Sequence, residues 1–328
     1  MSELSILAAA REAPERDCLV TDERSYSYGQ VAERVRCAIE ALRGLDLPEW
    51  ARVGIRPQLD LDSLIWLYAL FELGHPAMLI HPRLSQSERA ASVERSGLSH
   101  FIEDRVPMEP AWKGPGSAAA VPPERCLALV QSSGTSGKAR TAVLSRRAFL
   151  ASARAHRAHL GWQSDDRWLL CMPLSHIGGL SIVTRCLIAR RCCVIGSEPS
   201  GRFEAAQLIE ALSRHRVTLL SVVPTMLRRM LDSEQPRWVA DRALRAVLLG
   251  GAPSTESLRR EAAERGIPVL ATYGCTEACS QISTQNLAQS GLPGSGAPLP
   301  GVRLRIEDGE IQVQAATLMD GYLCLLYT

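Results

Sequence analysis

The run Ser132-Ser133-Gly134-Thr135-Ser136-Gly137-Lys138 places six small residues, each hydroxylated or glycine, ahead of a lysine. Such a loop can wrap an oxyanion. Glycine permits close backbone approach, N–H and hydroxyl groups donate, and the cation supplies charge. The spacing is not that of a Walker A loop, which needs four residues between its glycines and Ser or Thr after the lysine; here two intervene and Ala139 follows. Taken alone, the run reads as a flexible surface turn as readily as a phosphate cradle. Two other positions stand out by type. His176 follows a proline turn and precedes Gly178 and Gly179; an isolated histidine is more often structural than a ligand contact. Arg185 interrupts a stretch that otherwise reads Ile182, Val183, Leu187 and Ile188. If that face is buried, the charge needs an anion; if not, it is a snorkelling or surface residue.

These residues sit between alternating apolar runs and amphipathic stretches. Strands are expected at 77–80, 127–131, 168–172, 192–195, 217–222, 244–249 and 268–272. Helices are expected between them: one capped by Ser27 with Val31, Val35, Ile39 and Leu42 on its apolar face and Gly44 at its end, one at 61–73 apolar almost all round, and others near 177–189, 203–214, 224–232 and 254–265. The alternation predicts an α/β fold with layered, mostly parallel sheets and packed helices. Residues 106–123 are rich in Pro, Gly and Ala and read as a surface connection. Beyond about residue 290 the texture changes. Gly291–Gly301 is loop-like, and Val302–Glu307 and Glu310–Gln314 alternate around Asp308-Gly309, a hairpin signal that opens a small β subdomain. The expected divisions are 1–160, 161–290 and 291–328.

Composition narrows the function classes. With 37 basic and 35 acidic residues among 328, the net charge of +2 argues against a general polyanion binder. A hydrophobic fraction of 46% supports a large core and excludes disorder. No apolar run reaches the roughly 18 residues of a spanning helix. Residues 1–20 lack a basic stretch followed by an apolar one, so no secretory signal is expected. The ten cysteines form no C-x-x-C pair, and most lie in apolar segments, so they are expected to be reduced, buried thiols in a cytoplasmic protein rather than zinc ligands.

The loop at 132–138 resembles the phosphate-binding signature T-S-G-T-T-G-x-P-K of the adenylate-forming superfamily of acyl-CoA ligases, adenylation domains and luciferases. Ser133, Gly134, Thr135 and Gly137 match directly, and Ser132 and Ser136 keep the hydroxyl. Ala139 stands where proline is usual and Arg140 where lysine is usual, keeping the charge but not the ammonium geometry. Tyr273-Gly274-Cys275-Thr276-Glu277 looks like the family's Y-G-x-T-E. Leu249-Gly250-Gly251-Ala252-Pro253 resembles its adenine turn, and Gly309-Glu310-Ile311 through Gly321-Tyr322 its G-E-(I/L)-x-V…G-Y stretch. Met172-Pro173-Leu174-Ser175-His176 and Val223-Pro224-Thr225-Met226-Leu227 are similar to segments lining the acyl pocket. The motifs keep family order and spacing across essentially the whole chain.

The resemblance implies an ATP-dependent acid–CoA ligase that works through an acyl-adenylate, with ATP, Mg²⁺ and coenzyme A. Residues Ser132 to Lys138 would hold the β- and γ-phosphates, Gly250, Gly251, Ala252, Tyr273 and Gly274 the adenine end, Thr276 the α-phosphate and Glu277 the Mg²⁺. His176, Gly179 and Arg185 would form the acyl site. Arg185 on its apolar helix resembles those members that activate the dicarboxylate 2-succinylbenzoate in menaquinone biosynthesis, where a cation would pair the carboxylate that is not activated. Another acyl- or aryl-CoA ligase, an adenylation domain, or a non-catalytic nucleotide-binding domain are the competing readings. No nucleic-acid partner or membrane span is expected. After Tyr322 the family's T-G-D, its hinge and its lysine-bearing C-terminal domain do not follow, so the large N-terminal domain alone is expected.

Overall fold

A computed structural model describes residues 4–103, 105–106, 121–132, 140–196, 203–234, 238–239 and 243–323. The helices are α1 Ile6–Glu12, α2 Tyr28–Arg43, α3 Leu61–Leu73, α4 Gln86–Ser96, α5 Arg146–Leu160, α6 Ile177–Ala189, α7 Ala205–Arg214, α8 Pro224–Leu231 and α9 Glu256–Glu264. The strands are β1 Asp17–Val20, β2 Ser25–Ser27, β3 Val53–Ile55, β4 Ala77–Leu79, β5 His100–Ile102, β6 Cys126–Ser132, β7 Arg140–Ser145, β8 Arg167–Leu170, β9 Cys192–Ile195, β10 Leu219–Val222, β11 Ala246–Leu249, β12 Val269–Cys275, β13 Ser280–Thr284, β14 Ala297–Pro298, β15 Val302–Glu307, β16 Glu310–Ala315 and β17 Gly321–Tyr322.

Among the described residues these strands form two large sheets and a hairpin. The larger sheet runs β14-β13-β12-β11-β10-β8-β9-β1-β2, and the smaller runs β17-β7-β6-β4-β3-β5. Strands β8 to β12 are parallel within the larger sheet, as are β3, β4, β5 and β6 in the smaller. Antiparallel strands sit at the margins: β7 folds back on β6, β13 on β12, and β17 on β7. The expected layered α/β architecture is therefore present, with antiparallel edges that the apolar runs did not signal. Strands β1 and β2 precede residue 160 yet extend the larger sheet, and β17 follows residue 291 yet extends the smaller one. Strands β15 and β16 pair from Val302 opposite Ala315 to Glu307 opposite Glu310, the hairpin expected around Asp308-Gly309.

Local chemistry accounts for the helix limits. Ser27 forms a capping box with Gln30 at the start of α2, and Gly44 follows Arg43. Helix α3 starts at Asp60, whose carboxylate accepts from the Ser63 N–H, and stops at Gly74 with φ of 75°. Its run of buried residues from Leu64 to Phe71 fits a helix enclosed on all sides. It lies in the main core with α2, α5 and α6, between the facing surfaces of the two sheets. Helices α7, α8 and α9 cover the outer face of the larger sheet. No helix among the described residues is long and apolar enough to cross a membrane.

Candidate active site

The two sheets present the C-terminal ends of parallel strands, where side chains and backbone N–H groups are free of the ladder. Ser132 ends β6. It is buried, and its hydroxyl donates to the Arg140 carbonyl at 3.5 Å. Ser133, Gly134, Thr135, Ser136, Gly137 and Lys138 lie outside the described residues.

On the larger sheet, β11 ends at Leu249, paired with Ala271 of β12. Gly250 follows, and a Cβ there would sit 2.4 Å from Thr272 Oγ1; Gly251 takes φ of 79°. Only glycine accommodates both demands, a close approach and then a left-handed turn. Tyr273 is 41% exposed on the neighbouring strand, so its ring face is available beside the exposed turn at Gly251 and Ala252. A planar base fits a shelf of that kind.

Beyond Tyr273 the pairing of β12 with β13 slips between Tyr273 and Gly274. A Cβ on Gly274 would fall 1.8 Å from the Ser280 carbonyl oxygen, so the crossing requires glycine. The irregularity turns the chain into a 3₁₀ turn, Thr276–Ala278, that carries Thr276 and Glu277. The Glu277 carboxylate accepts from the Tyr322 hydroxyl at 2.7 Å, and its carbonyl accepts from the Met319 N–H at 2.8 Å. Burial alone would raise the Glu277 carboxyl. Hydrogen bonds from Tyr322, its own backbone, Ser132 and Cys275 outweigh that and hold it below the usual carboxylate value. Glu277 is therefore an anionic, oriented oxygen donor, which suits a hard divalent cation such as Mg²⁺. The Arg140 guanidinium lies 5.1 Å from the centroid of the Tyr322 ring. Tyr322 and Arg140 were visible in the sequence only as motif positions; their placement around Glu277 comes from β17 and β7 pairing side by side.

Helix α6 carries the three residues expected at the acyl end. His176 is its N-cap residue and makes no side-chain cap, which leaves the imidazole free of the helix end. Its ring centroid lies 5.2 Å from that of His81, just beyond β4 of the smaller sheet. Burial lowers His176, and burial, then His176 and Arg83, lower His81, so both rings are neutral at pH 7. Nothing in the sequence marked His81. A Cβ on Gly179 would meet the Pro173 carbonyl oxygen at 2.4 Å, so glycine lets α6 close down on the 172–173 backbone.

Arg185, two turns further along α6, is 3% exposed. Its Nη1 donates to Gln281 Oε1 at 2.6 Å and its Nη2 to Ser152 Oγ at 3.0 Å, while Nε has no partner. Burial lowers its pKa to about 10, so it stays charged at neutral pH. The snorkelling alternative does not apply. The structure thus gathers Ser132, Glu277 and Tyr322 at one end, places the 250–252 turn beside Tyr273, and sets His176 against His81. Arg185 contacts β13 rather than His176. A separate cleft of about 820 Å³, lined by Tyr26, Ile55, Asp60, Trp66 and Ile195 among others, contains none of these residues.

Known proteins share this sequence pattern and fold. A 2-succinylbenzoate–CoA ligase of Bacillus pumilus is 28% identical, over 97% of this chain and 70% of that protein. The O-succinylbenzoate coenzyme A synthetase of Bacillus subtilis in complex with AMP superposes with a TM-score of 0.87 at 26% identity, covering 97% of this chain and 70% of that one. The same enzyme in complex with ATP and magnesium ion gives 0.85 at 26% identity, covering 97% and 71%. The chain spans about 70% of the length of these relatives. The sequence matches the AMP-binding enzyme family over residues 6–325, and the chain belongs to that family.

Proposed function

We propose that this chain is the adenylating domain of an ATP-dependent acid–CoA ligase whose acid is 2-succinylbenzoate, serving menaquinone biosynthesis. The observation that carries the choice of acid is Arg185, a guanidinium buried among uncharged partners. An unpaired charge in that setting is costly unless a guest anion completes it. A dicarboxylate brings a second carboxylate for this purpose; benzoate and simple fatty acids do not. The relatives named as acting on 2-succinylbenzoate support the same choice.

The reaction runs in two steps. One carboxylate oxygen of the acid attacks the α-phosphorus of ATP and expels pyrophosphate, giving an acyl-adenylate. The thiol of coenzyme A then attacks the acyl carbon, loses its proton, and releases AMP. The protein contributes positioning and charge neutralisation. Tyr273 and the turn Gly250–Ala252 bracket the adenine, with Gly274 setting the strand crossing. The Thr276 hydroxyl donates to the α-phosphate, and residues 132–138 hold the β- and γ-phosphates. Glu277 holds Mg²⁺, which when bound neutralises phosphate charge. His176 closes the acyl pocket as a neutral ring, and Gly179 sets how near α6 approaches. We place the reaction in the cytoplasm, where the nine described cysteines, all free, stay reduced.

Hydroxylamine trapping tests the reading, because acyl-adenylates yield hydroxamates. With ATP and Mg²⁺, 2-succinylbenzoate should give hydroxamate at least tenfold faster than benzoate, a fatty acid or an amino acid. A faster competitor would overturn the acid assignment. No hydroxamate from any acid would leave a nucleotide-binding domain without catalysis.

A further inference from the structure

The surroundings of Arg185 pose a question of charge. A buried cation is ordinarily matched by a carboxylate, since removing it from water costs several kcal/mol. Asp166, fully enclosed, pairs with Arg245 at 2.6 Å in this way, whereas buried Arg146 donates to the Phe71 and Leu4 carbonyls and buried Arg259 to the Ser254 hydroxyl. Arg185 has no carboxylate partner among the described residues. The acceptors are an amide oxygen and a hydroxyl, and the charged-form influences on the guanidinium come from no Asp or Glu. Trp168 offers a ring face 5.9 Å from Cζ, and buried His156 is held neutral by burial and by Arg185 itself.

The acceptors are firmly placed. The Gln281 amide is fixed by its other end, Nε2 donating to Thr284 Oγ1 at 2.9 Å. Because a guanidinium only donates, that bond leaves Oε1 facing Arg185. Ser152 accepts from Arg185 and donates to the Cys279 carbonyl at 2.9 Å. Cys279 and Ser280 both take positive φ, 52° and 91°, and Ser280 donates its hydroxyl to Ser181 of α6 at 3.3 Å. This turn directly follows Thr276–Ala278. Gln281 therefore orients the guanidinium from the strand that follows this turn, and Ser152 of α5 is tied to the same turn through the Cys279 carbonyl.

We infer that Gln281, assisted by Ser152, is a specificity-determining positioning residue: its neutral amide aims the Arg185 guanidinium without cancelling its charge, which keeps the cation available for the second carboxylate of the acid. A glutamate at 281 would reach the same atom and satisfy the charge internally. The neutrality of residue 281, and not only the presence of Arg185, then sets the preference for a dicarboxylate. The inference rests on the proposed acid and adds the residue that makes its recognition possible.

Gln281→Glu tests it, because the exchange is nearly isosteric. Two hydrolysis-resistant acyl-adenylate mimics serve as probes: the sulfamoyladenosine of 2-succinylbenzoate and that of benzoate, titrated calorimetrically into the full chain. The unaltered protein should prefer the first by at least tenfold. In Gln281→Glu that preference should collapse to within about threefold, through weaker binding of the succinyl probe alone. Ser152→Ala, which removes an acceptor but adds no charge, should reduce the preference by only a few fold. Equal weakening of both probes by Gln281→Glu would make Gln281 merely structural and overturn the inference, as would an unchanged preference. If Gln281→Glu does not fold, Gln281→Met decides: it keeps the volume and drops the acceptor, and an intact preference overturns the inference. A preference absent from the unaltered protein would instead overturn the proposed acid itself.

Discussion

The proposed nucleotide end and the proposed acyl end are built by opposite means. At the proposed nucleotide end, strand termini and glycines do the shaping, and Tyr273, Gly251 and Ala252 are open to solvent. At the proposed acyl end, the group we assign to the acid is a buried cation held by side chains from α5 and β13. A site made of backbone geometry can be shared across many acids, since it touches only the nucleotide. A buried charge commits the pocket to guests that answer it. The contrast separates the reaction performed from the acid chosen, and variants at one end should leave the other unmoved.

The largest separation is expected at Glu277. Glu277→Gln keeps the shape but removes the anion, and Mg²⁺-dependent ATP affinity should fall about a hundredfold, the scale of losing one partner of a hydrogen-bonded charge contact. The ratio of affinities for the two acyl-adenylate mimics should be unchanged. A shift in that ratio would break the separation. Tyr322→Phe acts on the same carboxylate more gently. One hydrogen bond to a half-buried charged group is worth about 1.5–2 kcal/mol, hence roughly a ten- to thirtyfold loss of ATP affinity in Mg²⁺. Its pH signature is sharper. Glu277 is held below its ordinary value, so its charge persists above that value and is lost as pH falls through the lowered one. Without the phenol, burial gains weight, the carboxyl rises, and the acid limb of Mg·ATP binding moves to higher pH. An unmoved limb would show that Tyr322 does not hold Glu277.

The same contrast explains what could be read from the sequence. The nucleotide end was legible because its geometry is local. Gly250-Gly251 and Tyr273-Gly274-Cys275-Thr276-Glu277 are short runs whose residue types answer close approaches and positive φ within the run or one strand away. Helices α2 and α3 were legible for a similar reason, their caps lying within three residues of the groups they satisfy. Arg185 was legible as an anomaly, a charge in an apolar run, but its partners were not. Gln281 lies 96 residues away and Ser152 33 residues away, brought in by sheet order and helix packing. His81 escaped notice because its neighbour, His176, belongs to the other sheet's layer. Strands β7 and β13 escaped because antiparallel returns at a sheet margin carry no long apolar run.

The proposed choice of acid depends on Arg185 meeting the second carboxylate, and one titration addresses it directly. The affinities of the 2-succinylbenzoyl and benzoyl sulfamoyladenosines are measured for the unaltered chain and for Arg185→Leu, with Mg·ATP affinity as the control for the nucleotide end. The prediction is a loss of at least tenfold, about 1.4 kcal/mol, for the succinyl mimic, equal or tighter binding of the benzoyl mimic, and unchanged Mg·ATP affinity. Equal losses for both mimics, or no loss for either, would contradict the assignment of Arg185 to the acid.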